Sequence, residues 1–225
     1  IPLLTIYLIE VRKVSVAEAG GIVSVFGLGS LLSSLAGGEL SDRLGRRFTM
    51  VLSLFGGAIA MAILGFVRDL TAITVMVGVV GFVGELYRPA VLAFVADVVP
   101  PAQRIHAYGL LHWVINVGFA IALIVGGLLA EIDFTILFLA DAITMAAFGM
   151  IILVAVPETR PVIGAIAKET KQQAPPTRSW HRDPEFVVLV AIMFLITLLP
   201  FQSGAPLSAH MTKQGFTPAA FGAVM

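Results

Sequence analysis

The segment that decides the fold reads Gly38-Glu39-Leu40-Ser41-Asp42-Arg43-Leu44-Gly45-Arg46-Arg47. It concentrates charge between two apolar stretches. Residues 19–40 carry one charged side chain, Glu39, and residues 48–67 carry none. Because a transmembrane helix needs about 20 mostly apolar residues, this pattern predicts a short charged turn that joins two membrane-spanning helices.

The composition of the whole chain favours a lipid environment. Of its 225 residues, 58% are hydrophobic and 12% are charged, whereas soluble domains carry about 25% charged residues. We therefore expect the lipid bilayer to surround the chain. A net charge of zero leaves no basic patch for nucleic acid. The absence of cysteine excludes disulfides and thiolate metal sites.

Apolar runs of membrane length recur along the chain, separated by polar breaks. In lipid every backbone polar group needs an internal partner, which excludes open sheets, so the runs predict an all-α, polytopic transmembrane helical bundle. The predicted spans are 1–9 (the end of a first helix), 16–40, 47–67, 70–98, 104–130, 134–156 and 185–210, with an eighth helix starting near residue 217. The chain begins without Met, and we interpret it as a fragment.

The longest polar break, residues 157–184, is rich in proline and charge. It divides the chain into three predicted parts. Residues 1–156 form an N-terminal six-helix bundle with a truncated first helix, 157–184 form a linker, and 185–225 begin a C-terminal bundle. Ser15 and Glu18 have the spacing of a capping box, which predicts the start of the second span.

Lysine and arginine predict the orientation. The breaks between spans 2–3, 4–5 and 6–7 hold nine of these residues, and the alternate breaks hold four. Cytoplasmic loops carry the excess of positive charge. Loops 2–3, 4–5 and 6–7 are therefore predicted to be cytoplasmic.

The spacing Gly38-x-x-x-Asp42-Arg43-x-Gly45-Arg46-Arg47 resembles the signature loop of the major facilitator superfamily. The resemblance covers nearly the whole chain and implies the major facilitator fold, of which about eight of twelve helices lie here. It also implies a monomer in the inner (plasma) membrane of a bacterium. Its expected partners are a small-molecule substrate and protons, and we expect no cofactor and no metal.

Within this loop the resemblance implies a conformational latch. Asp42 should meet the N-terminal end of a helix in the second half, and Arg46 should pair with Asp97 at the cytoplasmic end of the fourth span. Gly45 can take backbone angles that other residues avoid, and Gly38 lets a neighbouring helix approach closely. The alternative, that these charges only set the topology, is open; it is the role we expect for Arg43 and Arg47.

Ionisable groups within membrane spans are costly and are functional candidates by default. Glu85 and Arg88 lie one turn apart on one helix face and can pair. Glu85 therefore either carries the coupling proton or belongs to a structural ion pair. Asp141 is a second candidate for the proton, although we favour a packing role for it, as for His112 with Asn116 a turn later.

The resemblance predicts a secondary active transporter, specifically a proton-coupled exporter of small, often lipophilic compounds that works by alternating access. The stretch Gly118–Gly127 is similar to the helix-five motif of drug/proton antiporters, with Ala122-Leu123 in place of its Gly-Pro. The alternatives are a sugar or metabolite symporter or uniporter of this superfamily, and a non-transporting membrane sensor. The chain has no G-x-S-x-G elbow and no phosphate loop, so we do not expect an enzyme.

Overall fold

The computed structural model describes residues 2–159 and, beyond them, positions 184, 187–189, 191, 192, 195 and 214. Over residues 2–159 the chain forms α1 (Pro2–Glu10), α2 (Val16–Leu44), α3 (Arg46–Phe66), α4 (Leu70–Glu85), α5 (Tyr87–Val98), a 3-10 turn (Pro101–Gln103), α6 (Arg104–Ile132) and α7 (Phe134–Ala155). Five segments of this part are long and apolar enough to cross a membrane, and α4 with α5 makes up one of them. The first six predicted spans match these helices to within four residues. The predicted span 185–210 lies mostly outside the described residues, and the one near 217 lies wholly outside them.

The joint between α2 and α3 is a single residue. The helix α2 continues through Leu44, so most of the segment predicted to be a turn is helical. Gly45 alone breaks the helix, with φ 108° and ψ 157°. This confirms that glycine supplies backbone angles that other residues avoid. Asp42 and Arg46 consequently lie close together on either side of the joint.

The fourth span is interrupted between α4 and α5 because of Pro89. Proline lacks an N–H, and its ring clashes with the carbonyl four residues earlier. Ser53 of α3 bridges the interruption: its hydroxyl donates to the carbonyl of Val83 at 2.7 Å and accepts from the amide of Tyr87 at 3.0 Å. The third span therefore stabilises the break in the fourth.

Glycine allows α2 to pack closely against the fourth span. A Cβ on Gly29 would lie 2.5 Å from the carbonyl oxygen of Gly78, and one on Gly37 would lie 2.7 Å from the ring of Pro89. A Cβ on Gly38 would meet no described atom within 4 Å. Within the described part of the chain, the close approach expected at Gly38 is therefore made by Gly37, one residue earlier, because that position faces the fourth span.

Side chains of neighbouring residues cap three of the spans: Ser15 caps α2, Asp69 caps α4 and Asp133 caps α7. Ser15 accepts from the amide of Glu18, and the Glu18 carboxylate accepts from the amide of Ser15, which confirms the capping box. Asp133 caps α7 by accepting from the amide of Thr135. Hydrogen bonds from Thr135 hold the pKa of Asp133 below its usual range. These caps place the helix ends where the polar breaks of the sequence lie.

Candidate latch and substrate cavity

Arg46 is the centre of a charged cluster where α2 meets α3. Its side chain is only 6% exposed. Nε donates to Oδ2 of Asp97 at 3.0 Å, and the guanidinium also donates to Oγ of Ser41 at 3.3 Å and to the Asp42 carboxylate. The predicted Arg46–Asp97 pair is present. Two carboxylates thus pair with the buried guanidinium. Without these carboxylates, the burial of its charge would be unfavourable.

The Asp42 side chain is only partly covered by its contact with Arg46. Its side chain is 62% exposed and contacts Arg46 across the glycine joint. The predicted partner of Asp42, a helix of the second half, lies outside the described residues. Arg43 pairs at 2.6 Å with Glu39, and both side chains are exposed, so this pair contributes little stability.

Glu158 completes the cluster, and the sequence interpretation missed it. Its carboxylate accepts from the backbone amides of Arg47 and Phe48, each at 3.1 Å. The sequence feature that could have indicated this contact is Gly45, the residue before α3. Gly45 has no side chain to cap the first-turn amides, so these amides need an acceptor from elsewhere in the chain or from water.

Arg47 was expected mainly to mark one side of the membrane, and the structure gives it a specific contact as well. Its guanidinium donates to the carbonyl of Leu153, near the end of α7. This carbonyl belongs to the last turn of the helix, where carbonyls lack helical partners. The contact ties the start of the third span to the end of the sixth.

Glu85 and Arg88 form the predicted ion pair at the junction of α4 and α5. The Glu85 side chain is 17% exposed and that of Arg88 is 62% exposed. The adjacent Tyr87 ring packs edge-on against Phe148 of α7, with centroids 6.4 Å apart. Glu85 therefore has a cationic partner three positions later, across the break between α4 and α5.

A cavity of about 270 Å³ lies in the half of the bundle remote from the charged cluster. Its described lining is almost wholly apolar: Leu3, Leu4, Phe26, Met61, Leu64, Val77, Val80, Phe119, Ala122, Leu123, Val125, Gly126, Leu129, Leu137, Phe138, Ala140, Asp141 and Thr144. Among these residues only Asp141 is ionisable. The Thr144 hydroxyl donates to the backbone carbonyl of Asp141, and no described residue forms a hydrogen bond or salt bridge with the Asp141 carboxylate.

The remaining candidates are not brought to this cavity. Asn116 donates to the backbone carbonyl of His112 at 2.7 Å, and both residues are exposed on α6. Ala122 and Leu123 do line the cavity, and α6 runs unbroken past them, so it lacks the bend that proline would cause. Across the described residues no three His, Asp or Glu side chains group as a metal site.

Membrane-length helices, a charged cluster at one end and a cavity of small-molecule size in the other half define a polytopic helical membrane protein. The sequence profile of the Major Facilitator Superfamily matches residues 1–225. The chain belongs to this superfamily, whose members include transporters.

Relatives and a solved structure agree with this assignment. The chain is 28% identical over 152 residues to the uncharacterized MFS-type transporter YqjV of Bacillus subtilis, covering 68% of this chain and 37% of YqjV. It is 26% identical over 154 residues to the quinolone resistance protein NorA of Staphylococcus aureus, covering 68% of this chain and 39% of NorA. A crystal structure of the peptide transporter POT with sulfate matches 98% of this chain and 44% of that chain, with a TM-score of 0.58 and 22% identity. The last likeness concerns the fold alone, and the matches span about two fifths of these proteins.

Proposed function

We propose that this chain is part of a secondary active transporter that exports small, lipophilic compounds in exchange for protons. The observation that carries the proposal is the Asp141 carboxylate in an apolar cavity, without a cationic partner among the described residues. Apolar walls favour a lipophilic guest, and a few polar groups orient it. The similarity to a quinolone resistance protein supports an exporter.

The exchange follows from the chemistry of one carboxyl group. In apolar surroundings a carboxylate without a counter-ion is unfavourable, so Asp141 holds either a proton or the positive charge of a bound substrate. The two occupants exclude each other. Binding of substrate therefore releases the proton, and binding of a proton releases the substrate, which is the coupling that an antiporter needs.

This proposal assigns the proton to Asp141 and not to Glu85. The carboxylate of Glu85 is paired with Arg88, whereas the carboxylate of Asp141 has no cationic partner among the described residues. Glu85 then holds the junction of α4 and α5 in place. The sequence alone leaves both roles open for Glu85 and favours a packing role for Asp141.

The charged cluster supplies the latch of this transporter. Arg46 holds Asp97 and Asp42 within one cluster, and the open side of Asp42 is available to the second half. We propose that this contact closes the cytoplasmic side in the outward-facing state. Residues 157–184 then link the two halves, and residues 185–225 begin the second.

Transport by the full-length protein in proteoliposomes tests the role of Asp141. Asp141→Asn should abolish efflux driven by a pH gradient, whereas Glu85→Gln should retain it. The matched control is Asp69→Asn, because Asp69 caps α4 outside the cavity and asparagine caps helices as well as aspartate does. Driven efflux that survives Asp141→Asn but is lost in Glu85→Gln would reverse the assignment. Efflux indifferent to the gradient in the unaltered protein would point to a uniporter instead.

The proposed orientation has an independent test by cysteine labelling. This chain contains no cysteine, and any cysteine elsewhere in the full-length protein is first replaced by serine. A membrane-impermeant maleimide should label Lys13→Cys in intact cells and Arg43→Cys only after permeabilisation. Arg43 lies at the charged end of α2, and Lys13 lies in the loop before that helix. The reverse labelling would overturn the orientation without touching the coupling proposal.

A further inference from the structure

We infer that Glu158 is a positioning residue that caps the third span and fastens the segment after the sixth span to the latch. Glu158 lies just beyond α7, in the first residues of the predicted linker. Its carboxylate reaches α3, which begins 112 positions earlier in the sequence at Arg46. The sequence pattern singled out the loop that receives this contact but not the residue that makes it.

The first step concerns the hydrogen-bond acceptors for the first amides of α3. The first amides of any helix have no partner within the helix. Oε1 of Glu158 accepts from Arg47 and Oε2 accepts from Phe48, each at 3.1 Å. A carboxylate at this end also interacts favourably with the helix dipole. One side chain thus supplies both the hydrogen bonds and the charge that the start of α3 requires.

The second step is the space that the joint provides. A Cβ on Gly45 would overlap the Glu158 carboxylate, and its φ of 108° is itself unfavourable for other residues. Glycine at this position therefore has two functions. It turns the chain between α2 and α3, and it leaves room for the cap.

The third step is the continuation of the contact into the charged cluster. The carbonyl of Thr159 accepts from the amide of Arg46 at 3.3 Å, and its hydroxyl donates to Oδ2 of Asp97 at 3.4 Å. Arg47 binds the carbonyl of Leu153. The end of the sixth span and the residues after it thus contact the same groups that form the latch.

A displacement of the segment after α7 would remove the cap of α3 and a partner of Asp97 together. The inference is that Glu158 favours the assembled cluster and so the state that the latch closes. This last effect rests on the proposed function, whereas the capping contact does not.

Hydrogen–deuterium exchange of the full-length protein in detergent tests the cap without reference to transport. In Glu158→Ala, residues 45–50 should exchange about 5- to 30-fold faster, as expected for the loss of a helix cap. Glu158→Gln keeps one acceptor oxygen and should give a smaller increase. Glu39→Ala is the matched control, since its carboxylate pairs only with the exposed Arg43 in the described chain, and exchange should change by less than about twofold.

Two results would overturn the inference. One is unchanged exchange of residues 45–50 in Glu158→Ala, and the other is an equal increase along all of α3, which would indicate general destabilisation. In transport assays Glu158→Ala should lower the maximal rate and leave KM unchanged, because Glu158 does not line the cavity. A raised KM with an unchanged maximal rate would exclude the effect on the latch, while the exchange data would still report on the cap.

Discussion

The charged cluster and the apolar cavity both contain ionisable side chains, but they differ in how those side chains are partnered. In the cluster Arg46 contacts two carboxylates, and Glu158 accepts two backbone hydrogen bonds. In the cavity Asp141 has no such partner among the described residues. A partnered charge stabilises one arrangement of helices, whereas an unpartnered carboxylate is available to a proton or a cationic guest. Under the proposed function, this difference separates the latch from the site that binds substrate and proton.

The largest expected effect on stability is the loss of Arg46. Arg46→Met leaves Asp97 partly buried without its cation and should lower the free energy of unfolding by about 3–5 kcal/mol. Chemical unfolding in detergent micelles measures this. Arg43→Met removes an exposed arginine from the same loop and should stay within about 0.5 kcal/mol. Equal effects of the two variants would mean that the cluster does not stabilise the fold.

A smaller effect is expected at the glycine joint. Gly45→Ala forces alanine to a positive φ and against Glu158, which should cost about 1–3 kcal/mol. Gly38→Ala is the control, because Gly38 is helical and its Cβ would meet no described atom within 4 Å. Its effect should be neutral or stabilising by up to about 1 kcal/mol. Similar losses in both would argue against the strain assigned to Gly45.

Next in size is the bridge between the third and fourth spans. Ser53→Ala leaves the amide of Tyr87 and the carbonyl of Val83 without the shared hydroxyl and should cost about 1–2 kcal/mol. Ser34→Ala removes an exposed hydroxyl that bonds only within its own helix and should change stability by less than about 0.5 kcal/mol. Equal free energies of unfolding for the two variants would show that the break between α4 and α5 does not depend on the Ser53 hydroxyl.

The smallest expected effect on stability lies at the cavity, where the effect on transport should be large. Ala122→Leu extends a side chain into open space, so stability should change by less than about 1 kcal/mol while KM for the exported compound rises. Ala147→Leu on the exposed side of α7 should leave both quantities unchanged. Unaltered transport by Ala122→Leu would place the substrate elsewhere.

Much of the fold could be predicted because its determinants are local in the chain. Membrane-length apolar runs define the spans, and the Glu85–Arg88 pair and the Ser15 capping box join residues three positions apart. The connection between α2 and α3 was harder to predict. The charges of residues 38–47 suggested a turn, but helix α2 extends through Leu44 and one glycine makes the connection. Charge alone does not interrupt a helix whose backbone hydrogen bonds can continue.

The sequence by itself determined the class of protein, its first six membrane spans and the signature loop, and the resemblance to the superfamily implied the Arg46–Asp97 pair. Only the tertiary structure decided that Glu158 caps α3 across 111 positions to Arg47, that Gly37 makes the close approach, and that Asp141 faces an apolar cavity. Hydropathy and short spacings are properties of neighbouring residues, and they persist in any arrangement of the helices. Partners on different helices are set by how those helices pack, which the pattern of one segment does not contain.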